Sequence, residues 1–272
     1  MTPYHGVAEA VDEHVDRSRL PENVMTFSSS FLRPPVPSRT FVLLPGSWCG
    51  GWCWTPVTEH LAAAGHRVIP LTFTGVGERA HLLSAAITLE THVADIINTI
   101  RYADLYDVVL VAHSYGGIAM TVAVDRIPDR IRHVVYLDAM VPLSGECAMD
   151  IIPENDLAQR MRRIGRSNLS LPAPIGANFS TPGMRDWFHS HLTPQPLQPY
   201  LDRIELRHPH GNGLPVTYVV CTPGRLPAIM LSAERARAIA SWRVLEVVSG
   251  HNVHLHRPAD VAKILLDCAE RG

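Results

Sequence analysis

The chain lacks several things that would have decided its class at once. No stretch of its 272 residues approaches the apolar length of a membrane span, so a helical integral membrane protein is not expected. No long run of one charge sign occurs, and the formal net charge is −2, which argues against a binder of nucleic-acid phosphates. Cysteine is sparse, odd in number and scattered, at Cys49, Cys53, Cys147, Cys221 and Cys268, so no disulfide framework is expected. Cys49 and Cys53 have no second close pair, and the His189/His191, His208/His210 and His254/His256 pairs lack a carboxylate–histidine zinc pattern. Gly75-Val76-Gly77 lacks the third glycine and the helix start of a dinucleotide fingerprint. Neither a metal nor another cofactor is therefore expected. The first residues carry Glu9, Asp12, Glu13 and Asp16 and do not resemble a secretory signal, so a reducing cytoplasm is the expected compartment. A homodimer stays open.

What is present is a globular composition, 46% hydrophobic and 18% charged, with enough apolar surface for a sizeable core. Residues 1–38 read as an extension: Val7 to Leu20 could form a short helix, but Ser28-Ser29-Ser30 and Pro34-Pro35-Val36-Pro37 then break regular structure. From residue 39 onward the chain reads as one α/β domain. Strands are expected at Thr40–Leu44, His66–Leu71, Val108–Val111, His133–Leu137, Val216–Val220 and Arg243–Val248. Helices are expected at Pro56–Ala64, Leu89–Ala103, Ala233–Ala240 and the C-terminus. In the second of these, Val93, Ile96, Ile97 and Ile100 fall on one face. This alternation predicts a mostly parallel sheet flanked by helices. It breaks from about 142 to 214, where only short helices are expected, at Asp186–His191 and Pro199–Leu206. An insertion there suits a small lid over the carboxyl ends of the strands, where ligands bind in open α/β sheets.

The most informative stretch is Val108-Val109-Leu110-Val111-Ala112-His113-Ser114-Tyr115-Gly116-Gly117. An apolar strand drives into a serine flanked by small residues, and a helix follows. This is the pattern of a nucleophile elbow, with Ala112 in the place of its first glycine. A structural turn serine is the alternative. Acyl transfer by serine needs a base, an acid that orients the base, and donors for the oxyanion. His251 follows the last expected strand, the order an elbow enzyme requires; a plain surface histidine is its alternative in a chain with 15 of them.

Phe41 to Trp54, Thr72 to Leu82, Ala112 to Gly117, Tyr136 to Pro142, Leu192 to Leu197, Val219 to Thr222 and Gly250-His251 occur in order along the chain. On these segments the chain resembles the α/β-hydrolase superfamily, in the branch of plant methylesterases, hydroxynitrile lyases and their bacterial esterase relatives. The resemblance implies the α/β-hydrolase fold, Ser114 as nucleophile and His251 as general base. It also implies backbone N–H groups of Ser47 and Tyr115 as the oxyanion hole. Trp48, Trp187 and His254 are candidate walls of a pocket for a small-molecule substrate.

Two positions depart from the family. Gly224 stands where its catalytic acid should be, and Pro45 replaces the histidine that usually supports the oxyanion loop. Asp138, at the end of the neighbouring strand, is the candidate substitute acid; a carboxylate that only caps backbone donors is the alternative. Hydrolysis of a small or medium carboxylic ester, such as a methyl ester, is the expected activity. A lyase, cyclase or tailoring enzyme of secondary metabolism using Ser/His for proton transfer is the second reading, and a decayed ligand-binding protein the third.

Overall fold

A continuous apolar run can be buried on both faces only if the strand lies inside a sheet covered by helices on either side. Val108–His113 meets that condition: all six residues are buried, at the centre of a six-stranded parallel sheet. The computed structural model describes residues 38–152, 169–171, 181–223 and 226–271. The expected helix at Val7–Leu20 and Gly224 lie outside the described residues.

In chain order the strands of the main sheet are β1 (Thr40–Leu44), β2 (Arg67–Pro70), β3 (Val108–His113) and β4 (Ile131–Leu137). A two-stranded antiparallel ribbon of β5 (Ser170–Leu171) and β6 (Gln195–Pro196) follows, and then β7 (Val216–Pro223) and β8 (Trp242–Ser249) complete the sheet. The order across it is β2-β1-β3-β4-β7-β8. The longer helices are α1 (Thr55–Ala63), α2 (Leu89–Tyr102), α3 (Gly116–Arg126), α4 (Pro182–His191), α5 (Pro227–Ala238) and α6 (Pro258–Arg271).

Side-chain alternation along the strands divides the core between the two faces. Val42, Leu44, Leu110, Ala112, Val134 and Tyr136 pack with α2, α3 and α5, whereas Phe41, Leu43, Val109, Val111, Val135 and Leu137 pack with α1 and α6. Helix α2 begins at a reciprocal cap between Thr88 and Thr91 and buries Val93, Ile96, Ile97 and Ile100, the stripe its spacing predicts. Helix α4 starts earlier than expected, because Thr181 Oγ1 accepts the Met184 N–H at 3.3 Å and Pro182 occupies the first turn.

One expected helix is corrected. Only Gln198–Leu201 is helical in the segment expected to be helical over Pro199–Leu206. The chain then turns extended, and Ile204 exchanges backbone hydrogen bonds with Gly145 (2.7 Å) and Glu146 (2.8 Å). Long-range pairing takes the backbone groups that a second helical turn would have needed.

Candidate active site

The elbow comes first. Ser114 follows β3 directly and has φ +52°, a left-handed conformation uncommon for a residue with a side chain. Its carbonyl accepts from Gly117 N–H (3.1 Å) and Met140 N–H (2.9 Å), so the helix start and the neighbouring loop hold the turn. The small residues are steric necessities. A Cβ on Gly116 would stand 2.7 Å from the Pro45 carbonyl oxygen, and one on Gly117 would stand 2.3 Å from that of Met140.

The second carboxyl-edge residue comes from the adjacent strand. β3 and β4 are paired in parallel with His113 opposite Leu137, so the next residues, Ser114 and Asp138, emerge side by side. Asp138 also has positive φ, +44°, and its N–H donates to the Val219 carbonyl at 2.7 Å. Its carboxylate is divided between two donors. Oδ1 accepts the Cys221 N–H at 2.8 Å, and Oδ2 accepts His251 Nδ1–H at 2.6 Å. The Asp138 side chain is 3% exposed and that of His251 23%, so the pair reaches from the core to the edge of the site. The Asp138 charge is felt nearby: burial first, then this carboxylate, pushes the Cys221 thiol and the Tyr218 phenol well above their ordinary ranges.

The first loop stands over the elbow. A Cβ on Gly46 would meet His113 Nδ1 at 2.9 Å and Ser114 Cβ at 3.0 Å, so the residue preceding Ser47 is pressed against the elbow. Among the described residues no acceptor takes the backbone N–H of Ser47 or of Tyr115. The side chains of these two residues meet in Tyr200. The Tyr200 hydroxyl bonds Ser47 Oγ, and its ring stacks on Tyr115 at 4.7 Å and 9°. The Tyr115 hydroxyl donates to His92 Nδ1 at 2.8 Å, and His92 Nε2–H donates to the Thr74 carbonyl at 3.0 Å. Burial lowers His92 to about 4, which keeps the ring neutral and Nδ1 an acceptor.

Of the expected pocket residues, Trp48 adjoins Ser47 and has φ +65°. Three bonds to the insertion hold it there. Its N–H donates to Gln195 Oε1 (2.9 Å), its indole N–H to the Leu171 carbonyl (3.1 Å), and its carbonyl accepts the Thr193 N–H (3.1 Å). Trp187, on α4, is 41% exposed and packs edge-on against Trp52 at 5.3 Å. His254 differs from the expectation of a pocket-facing ring. It is 1% exposed, with Trp54 (4.8 Å) and His113 (4.4 Å) against its ring, so a substrate has no access to it. Burial, then the neighbouring His251, lowers it to about 3.

Tyr200, Gln195 and His113 were not singled out from the sequence. Gln195 and His113 lay inside segments that carried the resemblance, whereas Tyr200 lay just beyond one. No helix among the described residues is long and apolar enough to cross a membrane.

Comparison with known proteins agrees with this architecture. The model of the alpha/beta hydrolase family matches residues 41–264. The carbendazim hydrolyzing esterase of Nocardioides sp. (strain SG-4G) is 36% identical over 238 residues, covering 83% of this chain and 97% of that protein. Methylesterase 8 of Arabidopsis thaliana is 36% identical over 103 residues, 38% of each chain. Among solved structures, an extracellular α/β-hydrolase from a Paenibacillus species superposes with a TM-score of 0.74 at 23% identity, covering 85% of this chain and 98% of that one. The fold, the family match across both halves of the sheet and the esterase relatives agree, and the chain belongs to the α/β-hydrolase family as an ester hydrolase.

Proposed function

We propose that Ser114, His251 and Asp138 form the catalytic triad of an esterase acting on small or medium carboxylic esters, methyl esters among them. The observation that carries this reading is the 2.6 Å contact between Asp138 Oδ2 and His251 Nδ1. A buried carboxylate on Nδ1 keeps the proton there and leaves Nε2 as the lone pair that faces a nucleophile. Ser114 Oγ attacks the ester carbonyl and its proton passes to His251 Nε2. The negative charge on the former carbonyl oxygen is held by the N–H groups of Ser47 and Tyr115. Collapse expels the alcohol, which takes the proton from His251 and leaves an acyl-Ser114. Water then attacks with His251 again as base, and the acid product departs as Ser114 recovers its proton.

The inclusion of methyl esters is supported by relatives named as methylesterases. The insertion between β4 and β7, through Trp48, Gln195 and Tyr200, supports a role as a lid that shapes the acyl site. The non-hydrolytic reading drew its force from Gly224 in the usual place of the acid and from Pro45 in the first loop; the proposed acid at Asp138 answers the first of these, and Pro45 still stands. The five described cysteines are all unpaired and buried, which fits a reducing compartment such as the cytoplasm.

The test is activity-based labelling with a fluorophosphonate, alongside hydrolysis of p-nitrophenyl acetate and of a panel of methyl esters. Wild type should label and turn over, and Ser114→Ala should do neither. Turnover that survives Ser114→Ala would defeat the acyl-enzyme mechanism.

A further inference from the structure

His113 closes β3 one residue before Ser114 and is 3% exposed, yet the acyl-transfer scheme gives it no task. Its ring nevertheless touches both the base and the loop after β1. Its Nε2–H donates to the main-chain carbonyl of His251 at 2.9 Å. The two imidazoles lie 4.5 Å apart, tilted by 40°. On the other edge Gly46 is pressed against it, since a Cβ there would stand 2.9 Å from His113 Nδ1. Nδ1 itself has no hydrogen-bond partner among the described residues, so the bond to His251 is the ring's one polar attachment there.

His251 needs such an attachment. β8 ends at Ser249 and the short helix Val253–His256 begins two residues after the base, so His251 sits on a connecting loop rather than on a regular element. Asp138 holds one ring nitrogen, and a single hydrogen bond leaves the ring free to swing about it. A second bond, to the main chain of the same residue, sets where its Cα stands and hence where Nε2 points. Misplacement by about 1 Å is enough to cost on the order of 100-fold in rate.

We propose that His113 is a positioning residue for the general base: its Nε2–H, anchored beside the nucleophile, ties the His251 main chain to the elbow and keeps base and nucleophile in register. The inference rests on the reading of His251 as the base. His113 is suited to the task because it stays uncharged. Burial, then the nearby His254 and His251, holds it well below the ordinary histidine range. A neutral ring adds no like-charge repulsion when His251 becomes an imidazolium in each half-reaction.

Three substitutions separate positioning from packing. Gln places an amide N–H near the Nε2 position, Met fills a similar volume without a donor, and Asn carries an amide too short to reach the carbonyl. On p-nitrophenyl acetate, His113→Met and His113→Asn should lose about 100-fold in kcat with KM within about twofold, and His113→Gln should recover most of it. Fluorophosphonate labelling of Ser114 should slow in step with kcat. Equal kcat in all three variants, or losses that follow Tm without regard to the donor, would overturn the proposal. If Met does not fold, the contrast between Gln and Asn decides by the same criteria. His251→Ala, assayed alongside, reports on the base separately: should it retain turnover, the assignment of the base fails whatever the His113 variants do.

Discussion

Replacing Asp138 by Asn tests the displaced acid most directly. The change keeps the volume, and Asn tolerates the positive φ of +44° at this position, so the backbone has no reason to move. The amide oxygen can still accept the Cys221 N–H now taken by Oδ1 at 2.8 Å. Its NH2 group then faces His251 Nδ1, which must become an acceptor, so the imidazole proton moves to Nε2. In that tautomer Nε2, the nitrogen proposed to take the serine proton, has no lone pair to receive it. Water cannot substitute, since the Asp138 side chain is 3% exposed. The same tautomer trap in serine proteases costs about 10⁴ in kcat. At about 1.36 kcal/mol per tenfold, that is roughly 5.4 kcal/mol of transition-state stabilisation. The expectation for Asp138→Asn is therefore a kcat on p-nitrophenyl acetate lower by about 10⁴-fold, with KM little changed and an unaltered near-UV CD spectrum. A variant within tenfold of wild type would refute the assignment and place the orienting acid elsewhere.

Other perturbations address the scaffold around the triad. His92 is lowered to about 4 and His254 to about 3 from an ordinary 6.5, and His113 is lowered as well, all chiefly by burial. Unfolded, these rings bind protons below about pH 6.5 that the folded protein refuses. Stability should thus be full above that pH and fall as the solution is acidified toward pH 4, by up to about 1.4 kcal/mol per pH unit for each ring. Urea unfolding at pH 7 and pH 5.5 reads this slope; His254→Phe should remove one ring's share, and an unchanged slope would contradict its burial as a neutral ring. Tyr200→Phe keeps the stack on Tyr115 but deletes the bond to Ser47 Oγ, and should cost about 1–3 kcal/mol by urea unfolding. Gly117→Ala sets a methyl 2.3 Å from the Met140 carbonyl oxygen, and should destabilise by about 1–3 kcal/mol or prevent folding; a wild-type Tm would show that the elbow has more slack than its geometry allows.

Much of this molecule is readable in local pattern, and what is not readable is long-range. The Val108–Val111 run and the stripe of Val93, Ile96, Ile97 and Ile100 declare their elements, because burial on two faces or on one stripe imposes a period on the residues themselves. Ser114 was legible because its turn demands small neighbours at fixed positions. Asp138 was ambiguous in sequence for a physical reason. Only the parallel register of β3 and β4 brings it beside Ser114, and only the path of the chain after β8 brings His251 to it, 113 residues away. The bond between His113 and the His251 carbonyl spans 138 residues and leaves no periodic trace. The segment after Leu201 has helix-compatible residues whose backbone groups are taken by Gly145 and Glu146, a competition that sequence periodicity does not register.

The position of the acid has a consequence for how freely the chain can change. In the arrangement the family implies, the turn after β7 carries the acid, and its length and composition are tied to catalysis. Here that duty is proposed for the residue after β4, and among the described backbone bonds β7 meets Asp138 through two main-chain groups, the Val219 carbonyl and the Cys221 N–H, the latter supplied by any residue except proline. The β7–α5 connection is thereby released as an insertion point. Loops or recognition peptides can be grafted there in library designs while the acid, the nucleophile and their two adjacent strands stay untouched.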